Sequence, residues 1–290
     1  MTRVPVLELG GTHASSAIVE CGTRVVDAHR VALEPDAPAE TVLNAMATCA
    51  GRLRTGGGAH WGIAVPGPFD YQTGIAHYRD VGKFESLAGI DVGGALRRRI
   101  APRPAAISFL NDADAFALGE WRAGAAAGYD CVVGITLGTG IGSGFLHHGQ
   151  VVDAGPTVPP QGRIDLVKIG GRPLEEVVSR RAMLREVAES GVDVRDLADR
   201  ARRGDRMADD LFARVFRQLG AALAPWLGRF GAEALVVGGS MTGAWDLIEA
   251  PLTAGIGSLA RGVRVTTAVL GDSAALVGAA WHARSDKHPL

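Results

Sequence analysis

Short apolar runs bounded by glycine alternate along this chain with stretches of helical period. The runs predict strands at 4–9, 14–20, 23–31, 60–65 and 105–110, with helices at 39–54, 91–99 and 113–124. A second series predicts strands at 131–137, 142–147, 234–238 and 263–269. Helices follow at 174–190, 193–203, 206–229, 242–258 and 273–284. Mixed strands and helices at this spacing predict α/β layers. Both series begin alike, with an apolar strand, a glycine turn and a second strand, so the chain reads as a weak internal duplication. We expect a small N-terminal domain over 1–111 and a larger one over 112–272. The C-terminal helix, about 273–290, would pack back on the first.

Composition narrows the class. The chain has 290 residues, 47% hydrophobic and 21% charged, with a net charge of −1. No basic excess points to nucleic acid or to an anionic membrane. No apolar run approaches the roughly 20 residues that span a bilayer. The strand that starts by Val4 leaves no room for a signal peptide, so a cytoplasmic location is expected. Cys21, Cys49 and Cys131 are odd in number and far apart, which predicts neither a disulfide framework nor a cysteine metal site. Residues 152–171, with Pro156, Pro159 and Pro160, read as a long loop.

Three glycine turns carry the chemistry. Gly10-Gly11-Thr12 follows the first strand, and its backbone N–H groups could approach a phosphate with no Cβ in the way. An ordinary hairpin turn is the alternative. Glu8, just before that turn, could hold Mg²⁺ through water. Gly138-Thr139-Gly140-Ile141-Gly142 is more demanding, because glycine weakens strands and so many imply a close approach. No helix follows it at once, and it is not a Rossmann fingerprint. Gly238-Gly239-Ser240 precedes a helix and could cup a nucleoside, or be a plain strand-to-helix turn. Asn111-Asp112 ends an apolar strand. Asp112 reads either as a helix N-cap or as the base that takes a proton from a substrate hydroxyl, with Asn111 binding a neighbouring hydroxyl. Two phosphate-sized turns, a base and a third turn, in this order, suggest a phosphotransferase. No histidine pair has helical metal spacing.

Over nearly its whole length the chain resembles the ROK family of sugar kinases, within the actin-like and chaperone ATPase superfamily. Glu8-Leu9-Gly10-Gly11-Thr12 is similar to the family's Asp-x-Gly-Gly-Thr. Gly62 to Pro68 resembles its Gly-x-x-x-Pro-Gly-Pro, and Asn111-Asp112-Ala113-Asp114 its Asn-Asp-Ala-Asn, with Glu120 in the usual helix. Gly138 to Gly142 resembles the second phosphate motif, Leu174 to Ser179 a Leu-Glu-x-x-x-Ser segment, and Gly271 to Ala280 the terminal helix. The family's zinc motif and its Glu-x-Gly-His sugar reader have no counterpart, so no structural zinc is expected. Gln161, Arg163 or Asp165 would fill part of that space. Glu8 replaces an Asp, and His13 a frequent Lys.

The resemblance implies two actin-like (ribonuclease H-like) domains with a nucleotide and sugar cleft between them. It implies an ATP- and Mg²⁺-dependent kinase that phosphorylates a primary hydroxyl of a hexose or hexose-like polyol. Asp112 would be the catalytic base. Asn111, Glu175, Pro66 and Gly67 would face the sugar. Gly10, Gly11, Thr12, Gly138, Thr139 and Gly140 would hold phosphates, and Gly238 and Gly239 would line the adenosine. A C7-cyclitol kinase is the alternative substrate class. A sugar-responsive regulator fits poorly, since the phosphate strand begins by Val4, and a silent sugar-binding protein would not need Asp112. A homodimer is expected by analogy.

Overall fold

The computed structural model describes residues 2–187, 189 and 191–285. The predicted helix 174–190 and the terminal stretch 273–290 therefore run partly outside the described residues. Two compact units emerge: residues 1–123 with 272–290, and residues 124–271.

In the first unit, β1 (Arg3–Leu9), β2 (His13–Glu20) and β3 (Arg24–Ala32) form an antiparallel meander. Helix α1 (Ala39–Ala50) leads to β4 (His60–Val65). A small hairpin, β5 (Phe69–Asp70) and β6 (Ile75–Ala76), precedes α2 (Val92–Arg99), β7 (Ala106–Asn111) and α3 (Asp112–Ala123). The sheet order is β3-β2-β1-β4-β7, with β1, β4 and β7 parallel. Leu7, Leu9, Ile63, Val65 and Phe109 face a core shared with Val42, Met46, Trp61, Tyr78 and Leu96. Asp91 caps α2 by accepting from the Gly94 N–H at 2.7 Å.

The second unit repeats this plan. Strands β8 (Cys131–Leu137), β9 (Ile141–His147) and β10 (Gln150–Val151) form the meander. A short hairpin, β11 (Lys168–Ile169) and β12 (Arg172–Pro173), leads to α4 (Glu175–Val178) and α5 (Arg180–Val187). Then come α6 (Val194–Arg202), α7 (Arg206–Phe230), β13 (Ala234–Gly238), α8 (Trp245–Ile256) and β14 (Arg264–Thr267). The order β10-β9-β8-β13-β14, with β8, β13 and β14 parallel, matches the first sheet strand for strand. The predicted loop 152–171 is packed rather than loose. Val158 and Ile164 are buried beneath it, and two 3₁₀ turns span Pro160–Gly162 and Ile164–Leu166.

One predicted helix, 174–190, is broken at Ser179. Its backbone is extended there (ψ 158°), and its hydroxyl accepts from the Ala182 N–H to start α5. The next N–H, from Arg180, leaves the helix to reach the Gly138 carbonyl at 3.0 Å. A tertiary bond thus overrides a continuous helical pattern. The polar stretch after 193 divides at Gly204. Asp205 caps α7 through the Met207 and Ala208 N–H groups, and Gly231 ends it in the left-handed region.

Helix α9 (Ala274–Ser285) returns the chain to the first unit, where it crosses α3 at close range. The contacts place the division between the units after Ala123, because α3 is held by this crossing. A Cβ on Gly119 would lie 2.0 Å from the Ala274 carbonyl oxygen, and one on Gly278 would lie 1.9 Å from that of Ala115. Only glycine lets these backbones meet. Gly278→Val should therefore cost about 3 kcal/mol or more in chemical denaturation, as an overpacked core with no flexible neighbour does. A loss below about 0.5 kcal/mol would show that the crossing tolerates a side chain.

Candidate functional site

In the first unit, the parallel register sets the site. Glu8 on β1 pairs with Ala64 on β4, and Ala64 pairs with Leu110 on β7. The carboxyl ends of these strands are therefore level, and Glu8, Pro66, Gly67, Asn111 and Asp112 emerge at one sheet edge. That edge is where α/β sheets place their ligands.

Asn111 and Asp112 divide the work at the start of α3. The Asn111 Oδ1 accepts from the Ala113 N–H at 2.9 Å and the Asp114 N–H at 3.4 Å, so Asn111 caps the helix. The Asp112 carboxylate accepts from the Ala113 N–H at 2.9 Å. The capping reading of this dipeptide thus belongs mainly to Asn111, which leaves most of the Asp112 acceptor capacity open. Asn111 Nδ2 donates to the Tyr71 hydroxyl at 3.0 Å. A Cβ on Gly67 would lie 3.3 Å from that hydroxyl and 3.7 Å from Asn111 Nδ2. The Tyr78 hydroxyl donates to the Pro66 carbonyl at 2.8 Å. Sequence reasoning missed Tyr71 and Tyr78. Phe69, Tyr71 and Tyr78 pack as a ring cluster against Phe109.

Charge is unevenly balanced here. Burial pushes the Glu8 carboxyl up to about 7, and the nearby Asp112 and Asp272 charges add to the rise, while Arg30 opposes it. Arg30 is itself paired with Asp272 at 2.8 Å. Burial also raises Asp112, against the pull of the Lys83 ammonium and the Ala113 N–H. Lys83, likewise missed, lies on the segment after β6. That segment is fixed by the Glu85 carboxylate, which accepts from the Val81 and Gly82 N–H groups, and by the Phe84 N–H bonded to Pro35.

The first glycine turn closes the β1–β2 hairpin through a Gly10 N–H bond to the His13 carbonyl at 2.9 Å. Thr12 is exposed, with its hydroxyl 2.7 Å from His13 Nδ1. A Cβ on Gly11 would meet nothing within 4 Å.

The second unit brings the other two turns together. Gly138 N–H bonds the Gly140 carbonyl at 3.0 Å, closing β8 onto β9, and Thr139 is exposed at the tip. Gly238 pairs with Thr136, so the third turn lies beside the second. A Cβ on Gly138 would lie 3.8 Å from Ser240 Oγ. Gly239 has φ 92°, and a Cβ there would sit 2.3 Å from the Leu137 carbonyl oxygen. Glu175 lies against the second turn. It accepts from the Ile141 N–H at 3.4 Å and from Arg181 at 3.0 Å, so both carboxylate oxygens already have partners in this unit. Of the three residues expected near the missing zinc motif, Arg163 and Asp165 form an ion pair at 2.6 Å, and Gln161 stands in the left-handed region. No group of three or more His, Cys, Asp or Glu side chains among the described residues is arranged to hold a metal ion. No helix among them is long and apolar enough to cross a membrane.

Gly11→Ala should leave thermal stability unchanged, because its Cβ enters open space, and should weaken nucleotide binding. Gly239→Ala should cost about 3 kcal/mol or more of stability from backbone strain and overlap together. Equal melting temperatures for the two variants would contradict this geometry. For Glu8, the unfolded chain ionises near pH 4.5 and the folded one near 7. Between those values the fold holds the extra proton, so stability falls as pH rises through the window. Glu8→Gln should then stabilise the ligand-free protein at pH 8 by on the order of 2 kcal/mol and by little at pH 4. Denaturation at the two pH values checks the sign.

The sequence model described as ROK family matches residues 5–286. A glucokinase of Streptomyces coelicolor is 28% identical over 319 aligned positions, covering 96% of each chain. A ROK hexokinase structure from Thermus thermophilus superposes with a TM-score of 0.79 at 26% identity, covering 99% of each chain. A Streptomyces griseus ROK glucokinase, solved with glucose and AMPPNP, gives 0.78 at 24% identity, covering 98% of this chain and 100% of its own. With a match over nearly its whole length and two actin-like domains of the same order, the chain belongs to the ROK family.

Proposed function

We propose that this chain, a sugar kinase that uses ATP, transfers the γ-phosphoryl group to a primary hydroxyl of a hexose or hexose-like polyol, with Asp112 as general base. The observation that carries the reading is the Asp112 carboxylate. It is half-buried at a parallel-sheet edge beside Asn111, Gly67 and Glu8, and its capping duty is taken over by Asn111. The glucokinase relatives support a hexose as acceptor.

Phosphoryl transfer needs mostly positioning and charge neutralisation. The acceptor oxygen attacks the γ-phosphorus as the bond to the ADP oxygen breaks, and its proton passes to Asp112. Burial makes this carboxylate a stronger base than an exposed aspartate. The Lys83 charge and the Ala113 N–H at the start of α3 favour its ionised form. Asn111 Nδ2, with the Tyr71 hydroxyl and the open Gly67 backbone, would orient the sugar. Pro66 is fixed through Tyr78 and shapes that wall. Gly10, Gly11, Thr12, Gly138, Thr139 and Gly140 are assigned to phosphate binding, and Gly238 and Gly239 to the nucleoside end. Glu175, engaged by Ile141 and Arg181, is assigned to bracing the second turn. No three carboxylates among the described residues are arranged to hold a metal ion by themselves, so Glu8 would hold Mg²⁺ through water, and the ion would supply charge neutralisation to the phosphates.

ADP release with Mg²⁺-ATP and a panel of hexoses, amino sugars and C7-cyclitols tests the reading, with turnover expected on a hexose. Asp112→Asn should lower kcat by about 10³-fold with nucleotide affinity kept. Full activity in that variant, or silence of the wild type on the whole panel, would overturn it.

A further inference from the structure

A cavity of about 630 Å³ lies within the second unit, lined by Arg180, Asp193, Asp196, Arg202, Ser240 and Met241 among others. Its size falls in the range of small-molecule sites. Two bonds locate it. The Arg180 N–H donates to the Gly138 carbonyl at 3.0 Å, which ties one wall to the second glycine turn. Ser240 and Met241 follow the third turn and form another wall. The cavity therefore runs beside both turns of this unit.

The cations around it are not equivalent. Arg202 is committed to structure: its guanidinium bonds Asp246 twice, at 2.9 and 2.6 Å, Asp199 at 3.0 Å and the Gly243 carbonyl at 3.1 Å. Arg195 is exposed on the first turn of α6. Arg180 is half-buried, and its recorded bond uses one nitrogen, Nε, which donates to Asp193 Oδ1 at 2.7 Å. Asp193 is itself pinned, since it caps α6 through the Val194 N–H and receives Asp196 in a capping box. One edge of the guanidinium is thus fixed by a rigid anchor, and no hydrogen bond among the described residues engages the two Nη atoms, whose four N–H groups can serve a ligand. A planar fork held in this way suits a phosphate oxygen.

We propose that Arg180 is a donor-reading residue. Its guanidinium binds a phosphate oxygen of the nucleotide where the nucleoside, in the cavity, meets the phosphates at the Gly138 turn, with Asp193 as the positioning residue that aims it. This rests on the assignment of that turn to the phosphates of ATP. It adds a selectivity that the glycine turns alone lack, because their N–H groups hold phosphates without fixing where the nucleoside begins.

The test measures binding of ADP and of adenosine to wild type, Arg180→Gln and Asp193→Asn by calorimetry. Arg180→Gln keeps a donor toward Asp193 and most of the bulk, so the fold survives. It should weaken ADP 10- to 100-fold while adenosine changes less than about 3-fold, the loss expected of one charge-assisted bond. The KM for ATP should rise, with the KM for the sugar unmoved. Asp193→Asn, which loosens the anchor and keeps the cation, should weaken ADP less than Arg180→Gln does. Equal weakening of ADP and adenosine, no change in either, or an Asp193→Asn loss as large as that of Arg180→Gln would reduce the pair to a link between α5 and α6. A wild type that binds adenosine but not ADP, or neither, would remove the kinase reading itself, and the proposal with it.

Discussion

Backbone pairing among β1, β4 and β7 levels Glu8 with Ala64 and Leu110, and the chemistry of the first unit depends on that alignment. A strand that slipped by one residue would turn every side chain to the opposite face. Glu8 would lose its place beside Asp112, and the Asn111-Tyr71 bond would have no partner. The register is secured by burial, because Leu7, Leu9, Ile63, Val65 and Phe109 fill the core from the same strands that end in the polar residues. The apolar half of each strand thus holds the polar end in position.

The electrostatics follow from that placement. Two carboxylates, Glu8 and Asp112, are half-buried; burial raises both, and the Asp112 charge adds to the rise at Glu8. The arrangement persists because opposing groups are built in: Arg30 near Glu8, and Lys83 and the start of α3 near Asp112. Such tension is consistent with the proposed roles of Glu8 in holding a cation and of Asp112 in accepting a proton. The second unit is different in kind. Its polar groups are largely paired off, as Glu175 with Arg181 and Arg202 with Asp246, and its turns present mainly backbone.

The sheet strands and the three turns were legible because they rest on local signals, apolar runs that end in glycine. The likeness of the two halves was legible too, and the matching strand orders give it a structural form. Helix 174–190 was misread because nothing local marks Ser179 as a break. The cause is the bond from Arg180 to Gly138, some forty positions away. Tyr71, Tyr78 and Lys83 escaped for the same reason. The β5–β6 hairpin is too short to signal itself, and its side chains gain meaning only against Pro66, Asn111 and Asp112. The split of duties between Asn111 and Asp112 was also hidden, since both residue types cap helices.

The pH dependence of kcat/KM for the sugar, at saturating Mg²⁺-ATP, tests most directly whether a buried carboxylate at this sheet edge accepts the proton. The account predicts a rate that falls on the acid side through a group titrating above the ordinary aspartate range, and a limb that disappears with the rate in Asp112→Asn. A rate that stays flat down to pH 4 in folded enzyme, or an acid limb unchanged in a still-active Asp112→Asn, would contradict it.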